Sequence, residues 1–384
     1  MRTVHHALPA FSAGTSRTLR SLHFGSAGSG MKAYIQASLH ADEVPAMLVA
    51  QHLKNALEAL EAAGLIEGEI VLVPMANPIG LAQDQQGSLL GRFDLATGIN
   101  FNRQYKHLTA ALIPLVEPLL GDDEAANTRL IRQAAMALLA DWQPNTEADS
   151  LKKLLQTLAM DADIVLDLHC DTQAVLHVYA GTPLAEAALT LAACLGAQAL
   201  LVCKVSGDDP FDETVSRIWW ELAAHFEGRF PGRFPGRFPG RFPIANACFS
   251  ATVELRGETE VDHTLAAQDA QALIHWLTHA GHIGGPLAPV PPARCAATPL
   301  EGVEPVTAPH AGMLVFFKAP GDAVAAGEAI GEVIDPLTDQ TSPVCASVAG
   351  VLFARISRRY ATRGMRVAKI AGPVAFRSGN LLSL

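Results

Sequence analysis

Clustered positive charge, paired cysteines and long apolar runs are all scarce in this chain of 384 residues. Its net charge is −10, and no dense group of Lys and Arg occurs in the first 300 residues. That argues against non-specific nucleic-acid binding, which needs clustered cations to displace phosphate counterions. The N-terminal stretch MRTVHHALPAFSAGTSRTLRSLHFG holds no continuous apolar segment, so no secretory signal is expected. The apolar run AEAALTLAACLGAQALLVC is broken by small and polar residues. It reads as a buried helix entering a strand rather than a membrane span. Cys170, Cys194, Cys203, Cys248, Cys295 and Cys345 are scattered without a CxxC pair, which fits a reduced cytoplasmic chain better than a disulfide framework. What the chain has is 49% hydrophobic residues, enough for a sizeable core, and a length that suggests two domains.

Through residue 285, short β-like runs alternate with longer helical ones. KAYIQASL (32–39) reads as a strand, VPAMLVAQHLKNALEAL (44–60) as an amphipathic helix, and GEIVLVPMA (68–76) as a strand. Residues 105–160 are helix-rich. Strands are expected at 163–168, 174–180, 198–203 and 250–257, with helices at 183–195, 211–226 and 265–281. The spacing predicts an α/β fold whose mixed, mostly parallel sheet is flanked by helices.

Two segments stand apart. GRFPGRFPGRFPGRFP (228–243) repeats four residues four times, and proline at that interval forbids helix and central strand. It is expected to be a surface loop. GGPLAPVPPARCAATP reads as a linker, here taken as 286–300, between a domain of residues 1–285 and a β-rich module of residues 301–384. The module's APHAGMLVFFKAPGDAVAAGEAIGEVID resembles the biotinyl/lipoyl-type barrel-sandwich. The stretch VIDPLTDQTSP has no lysine where a carrier domain presents one, so the scaffold is expected without an attached cofactor.

His40 and Glu43 in ASLHADEVPAM stand three apart where a strand gives way to a helix. They are either a helix start, where the dipole favours an acid, or two parts of a metal site that needs a third ligand. His169 in ADIVLDLHCD also ends an apolar strand, and ligand crevices form at strand ends of α/β sheets. Its neighbour Cys170 should point to the opposite face, and Asp167 is placed to orient a ligand histidine. Glu254 interrupts the apolar strand SATVELRG, where a lone core carboxylate is costly unless it is paired or functional. Asn102 and Arg103 in TGINFNRQY offer an amide and a planar cationic fork suited to a carboxylate, and Arg92 lies upstream.

In this order, His40-x-x-Glu43, Asn102-Arg103, His169 and TVELR resemble the zinc carboxypeptidases of the carboxypeptidase A type. They are also similar to the succinylglutamate desuccinylase/aspartoacylase branch of that superfamily, which the β-rich C-terminal module favours. The resemblance implies one Zn²⁺ per chain held by His40, Glu43 and His169. It gives Glu254 the activation of water and proton delivery to the leaving amine, Asn102 and Arg103 the substrate carboxylate, and Arg92 the scissile carbonyl. The pattern usually has an aspartate where this chain has Asn100, and a Phe-Pro-Gly where it has QYKHL. From 341 to 384 the chain holds seven Arg and Lys and no acid. That face either is merely solvated or attracts an acidic substrate.

The expectation is therefore a cytoplasmic zinc-dependent deacylase of small N-acyl amino acids, without nucleic-acid or membrane partners. Assembly as a homo-oligomer is compatible with it. The rival readings are a metallocarboxypeptidase acting on peptides or cell-wall fragments, and a non-catalytic binding protein on the same fold.

Overall fold

The computed structural model describes residues 1–10, 12–28, 30–227 and 242–382. The expected GRFP loop lies outside the described residues except for Phe242 and Pro243. Nine strands form the main sheet: β1 (Arg2–Leu8), β2 (Arg17–Gly25), β3 (Lys32–Ala37), β4 (Glu69–Val73), β5 (Ile164–Asp171), β6 (His177–Gly181), β7 (Ala199–Cys203), β8 (Phe249–Gly257) and β9 (Ala297–Pro299). Their spatial order is β1-β2-β4-β3-β5-β8-β6-β7-β9. The pairs β1–β2, β2–β4 and β8–β6 are antiparallel and the others parallel. Two edges depart from the sequence reading. The N-terminal hairpin β1–β2 was not anticipated, because its outward histidines and arginines mask the alternation. At the far edge, β9 arises within the expected linker.

Helices cover both faces: α1 (Pro45–Ala62), α2 (Thr109–Val116), α3 (Glu124–Asp141), α4 (Glu147–Ala159), α5 (Ala185–Leu195), α6 (Phe211–Phe226) and α7 (His263–His279). Period-two alternation decides which residues meet which helices. Ala33, Ile35 and Ala37 of β3, Leu166 and Leu168 of β5, and Ala251, Val253 and Leu255 of β8 pack with α1, α5 and α7 in one core. The intervening residues Tyr34 and Val165 face a second core built from α2, α3, α4 and α6. The same alternation puts Gln36, Asp167, His169, Thr252 and Glu254 on that second side. A polar column thus runs up three adjacent parallel strands toward their C-terminal ends.

The C-terminal region is entirely β: β10 (Val303–Thr307), β11 (Gly312–Phe316), β12 (Ala323–Val324), β13 (Ala329–Ile334), β14 (Thr341–Cys345), β15 (Gly350–Arg355), β16 (Tyr360–Ala361) and β17 (Arg366–Ala371). Two sheets, β10-β17-β15-β12 and β14-β13-β11-β16, enclose a core that includes Val306, Leu314, Ile330, Val344 and Ile370. A further apolar cluster joins this region to the main sheet, with Phe353 and Val303 against Val175, Leu201 and Leu300. The two-residue strand Gln173–Ala174 leaves the main sheet and pairs antiparallel with β15. None of the described helices is long and apolar enough to cross a membrane.

Candidate metal centre

β3, β5 and β8 are neighbours, so the residues at their C-terminal ends converge. In the β5–β8 register His169 stands opposite Glu254, and in the β3–β5 register Gln36 stands opposite Asp167. Beyond β3 the backbone of Ser38 turns into the left-handed region, at φ 58°, and throws the following loop across the sheet end. That conformation is strained for a residue with a Cβ, and the Ser38 hydroxyl steadies it by donating to the Glu43 carbonyl at 3.0 Å. A tight turn, with Glu43 N donating to the His40 carbonyl at 3.1 Å, brings both side chains inward. Glu43 stands one residue before the helix cap, yet α1 has no side-chain cap, so the helix-start reading does not describe it. Gly91 touches this loop so closely that a Cβ there would lie 2.2 Å from the Asp42 nitrogen. Only glycine lets the Arg92 segment approach.

His40, Glu43 and His169 are 3%, 7% and 1% exposed, and their ligand atoms lie within 4.8 Å of one another. One Glu43 oxygen is 2.8 Å from His40 Nδ1 and the other 2.6 Å from His169 Nδ1. The outer nitrogens are held separately. His40 Nε2 meets Asn100 Oδ1 at 2.8 Å, and the Asn102 backbone N–H donates to that same oxygen at 2.8 Å. Because Asn100 Oδ1 accepts from a backbone N–H, the His40 Nε2 must be the donor. His169 Nε2 lies 2.9 Å from Asp167 Oδ2, an ion-pair contact whose angle falls short of a hydrogen bond. Gln36 Nε2 donates to the other Asp167 oxygen at 3.0 Å.

Burial, then the nearby Arg92 cation, lowers the His40 pKa to about 4, so its ring is neutral near pH 7. With its proton on Nε2, the lone pair of Nδ1 faces a carboxylate oxygen 2.8 Å away. Two acceptors at that separation need a positive partner, and Arg92 Nη1 stands against both, at 3.3 Å from Nδ1 and 3.4 Å from the Glu43 oxygen. The donor set fits a divalent ion: two imidazoles and one carboxylate, each imidazole oriented through its other nitrogen. Burial also works against charge on His169, but the Asp167 and Glu43 carboxylates overcome it and hold its pKa well above the ordinary value. Burial likewise opposes ionisation of Glu43, and His169 and His40 reverse it, holding that carboxyl well below its usual range. The group could bind a metal ion.

A cavity of about 80 Å³ opens beside the group and is lined by His40, His169, Arg92, Asn102, Arg103 and Glu254 among others. Six of the seven candidate residues therefore line one space, and the seventh, Glu43, contacts His40 and His169 at its edge. Glu254 Oε2 is buried without a hydrogen-bond partner, and burial, then the Glu43 charge, pushes its carboxyl up to about 8. Asn102 Oδ1 accepts from Phe211 N at 2.8 Å, which aims its amide nitrogen toward His169 Nε2, 3.5 Å away. Arg103 donates to the Asn102 carbonyl at 2.6 Å. Arg92 approaches His40 Nδ1 at 3.3 Å and Glu43 at 3.4 Å. Cys170 faces away from the ligand group, as strand alternation requires, and its backbone N–H donates to Glu43 at 3.1 Å.

Sequence reasoning did not find the rest of the wall. Asp212, Glu213 and Trp220 reach the cavity from α6, Thr252 from β8 and Lys369 from β17. An acid in a first helical turn is ordinary, and a lysine in an alternating strand is unremarkable, so neither carried a signal. A second cavity of about 330 Å³ adjoins the first and shares Arg92, Tyr179, Glu254 and Lys369 with it. Its outer wall comes from the C-terminal region, including Arg355, Arg366 and Arg377. Tyr360, by contrast, is exposed and lines neither cavity.

A buried two-histidine, one-glutamate group at the C-terminal ends of parallel strands defines a metal-centre class of α/β protein. The chain belongs to the succinylglutamate desuccinylase/aspartoacylase family, whose catalytic-domain model matches residues 29–227. Its structure is similar to a protein of that family from Shewanella amazonensis, with 24% identity over 97% of this chain and 98% of that one, and a TM-score of 0.81. A succinylglutamate desuccinylase/aspartoacylase from Shewanella frigidimarina gives 23% identity, 97% coverage of each chain and a TM-score of 0.80. The ectoine utilization protein EutE from Ruegeria pomeroyi gives 16% identity, coverage of 96% and 95%, and a TM-score of 0.65. At these identities the likeness is one of fold. No curated protein matches the sequence.

Proposed function

We propose that this chain is a zinc-dependent hydrolase of the amide bond in a small N-acyl amino acid. The observation that carries the reading is the buried His40–Glu43–His169 donor set beside Glu254, whose Oε2 is buried without a hydrogen-bond partner among the described residues. Zinc bound by these three residues would supply Lewis acidity toward the carbonyl and toward water. Glu254 accepts the proton of the attacking water and returns it to the leaving nitrogen, a role suited to a carboxyl whose pKa stands near neutrality. Arg92, within reach of both cavities, donates to the carbonyl oxygen as negative charge develops there. Arg103, steered by Asn102, holds the free carboxylate of the amino acid.

The size of the space favours a small acyl-amino acid over a peptide. The C-terminal region contributes Lys369 and Leu382 to the inner cavity and walls the outer one. We accordingly read residues 1–285 as the catalytic domain, 286–300 as a linker and 301–384 as a barrel-sandwich cap without a carrier lysine. The paired small sheets around one core support that division. A cytoplasmic location agrees with the free cysteines. The test is hydrolysis of an N-acetyl and N-succinyl amino acid panel by zinc-loaded protein, with and without chelator. Chelator-sensitive release of amine is expected. Release that ignores chelator refutes the metal role, and release from peptides alone favours the carboxypeptidase reading.

A further inference from the structure

We infer that the amino-acid half of the substrate carries a cationic side chain, recognised by Asp212 on the cavity wall beside Arg103. This inference rests on the deacylase reading and names its substrate class. Asp212 is only 9% exposed and lines the inner cavity together with His40, His169 and Arg103. The Glu213 backbone N–H and the Thr252 hydroxyl lie near enough to favour its ionised form, and among the described residues it forms no ion pair. Its position is braced from behind, since the Ser250 hydroxyl donates to the Asp212 carbonyl at 2.8 Å and lies 2.7 Å from Ser216 Oγ, from which it can accept.

The neighbouring acid is already engaged. Glu213 accepts from Ser206 N at 2.8 Å and from its hydroxyl at 2.5 Å, and pairs with Arg217 at 3.1 Å. Asp212 is therefore the acid of this wall with charge to offer. Burial, then the charges of Asp167 and Glu213, raises its pKa to about 7 even with the Arg103 cation close enough to interact with it. Across the same cavity lies the Trp220 ring. It is seated against the end of β6, where a Cβ on Gly181 would come within 2.7 Å of it. A desolvated carboxylate, a hydroxyl and an aromatic face are what an ammonium or guanidinium group needs in place of water.

The geometry also discriminates. With the α-carboxylate on Arg103, a side chain turned toward α6 meets Asp212. A glutamate or aspartate side chain would there oppose the Asp212 carboxylate, the cavity's Lys369 and Arg92 being already paired with Asp171 and Glu43, whereas an ornithine or lysine side chain completes an ion pair. The basic groups Arg355, Arg366 and Arg377 stand on the outer cavity, away from Asp212, which lines only the inner one.

The experiment compares kcat/KM of the zinc-loaded full chain and its Asp212→Asn variant on N-acetyl and N-succinyl derivatives of ornithine, lysine, norvaline and glutamate. The wild type should favour ornithine or lysine over norvaline by about 100-fold, the scale on which a built polar contact selects. Asp212→Asn should lose about that factor on the cationic substrates and less than about threefold on norvaline. Thr252→Val, which only loosens Asp212, should shift selectivity in the same direction by a smaller factor. It stands in if the asparagine variant does not fold. Preference for glutamate overturns the inference. So does a uniform loss across all side chains, which would make Asp212 a positioning residue for Arg103. If no N-acyl amino acid is hydrolysed, the deacylase reading fails by itself. Calorimetry with free ornithine, lysine and glutamate then decides: ornithine or lysine binding that Asp212→Asn abolishes supports the inference, and glutamate preference or no binding overturns it.

Discussion

Zinc should compete with protons at this centre, and the number of protons can be read from the side chains. Consider protein stripped of metal and held between pH 5.5 and 6.5. His40 is already neutral, with a pKa of about 4, and its Nδ1 gives up nothing. His169, raised well above the ordinary value by Asp167 and Glu43 against the effect of its burial, must release one proton to bind a cation. Glu254, at about 8, also holds a proton, and a dication beside it favours the carboxylate. Two protons leave, so affinity should rise about 100-fold per pH unit, or about 2.7 kcal/mol at 1.36 kcal/mol per proton and unit. In Glu254→Gln the second proton is absent and the rise should fall to about tenfold per unit. Staying below neutrality keeps ionisation of water at the ion out of the count. Competition against a chromophoric chelator gives the slope. Calorimetry in buffers of different ionisation enthalpy counts the protons directly. A pH-independent wild-type affinity would refute the protonated His169, and equal slopes for the two proteins would refute the protonated Glu254.

The same groups set the stability of the stripped protein. Glu254 and Asp212 bind protons more tightly folded than unfolded, so their contribution to stability declines from about pH 4 through 8, and His169 adds to the decline above about pH 6.5. His40 and His177, buried neutral near pKa 4, cost stability as pH falls from 6.5 through that value and offset the two carboxyls there, so the melting temperature should be level between about pH 4.5 and 6.5 and fall above it. A peak above pH 8 would contradict these assignments. Glu254→Gln should keep its zinc, checked by metal analysis, while kcat drops by about 10³, the scale of general acid–base catalysis; full activity would remove Glu254 from the reaction. Asn100→Asp should tighten zinc binding by about tenfold, because a carboxylate on His40 Nε2 makes the ring more basic and removes the partnerless Asn100 Nδ2. Unchanged competition against a chelator would show that the amide already suffices. Phe353→Ala, at a fully buried position between the C-terminal region and the main sheet, should cost about 3 kcal/mol in denaturant unfolding. A loss below about 1 kcal/mol would mean that this junction packs loosely.

Much of the reacting centre was legible because strand alternation exposes what breaks it. Glu254 among the apolar residues of β8, and His169 and Asp167 on one side of β5, stand out by parity alone. Their partners His40 and Glu43 follow from the end of the next parallel strand. The α/β pattern was readable for the same reason: the strands between residues 32 and 257 are apolar on both faces and alternate with long helices. The hairpin β1–β2 was not, since its alternation is written in histidines and arginines that look like any polar stretch. Asp212 and Trp220 were hidden differently. Nothing local marks an acid in the first turn of α6 as a cavity wall. Only the packing of α6 across β5 and β8, through contacts such as Ser250 to Ser216, turns it toward the metal ligands.

The chain does not end its involvement with the C-terminal region at a linker. Four residues after His169, Gln173 and Ala174 have left the main sheet to pair with Arg355 and Ala354 of β15, and Lys369 of β17 reaches back to Asp171. The segment that holds a metal ligand is thus also a hinge pin for the outer wall. Loosening the tail slackens the very strand on which His169 is aimed, so a shortened version of this protein would lose its grip on the ion as well as its lid. Changes elsewhere in the tail leave His169 aimed so long as this short splice between Gln173–Ala174 and β15 stays taut.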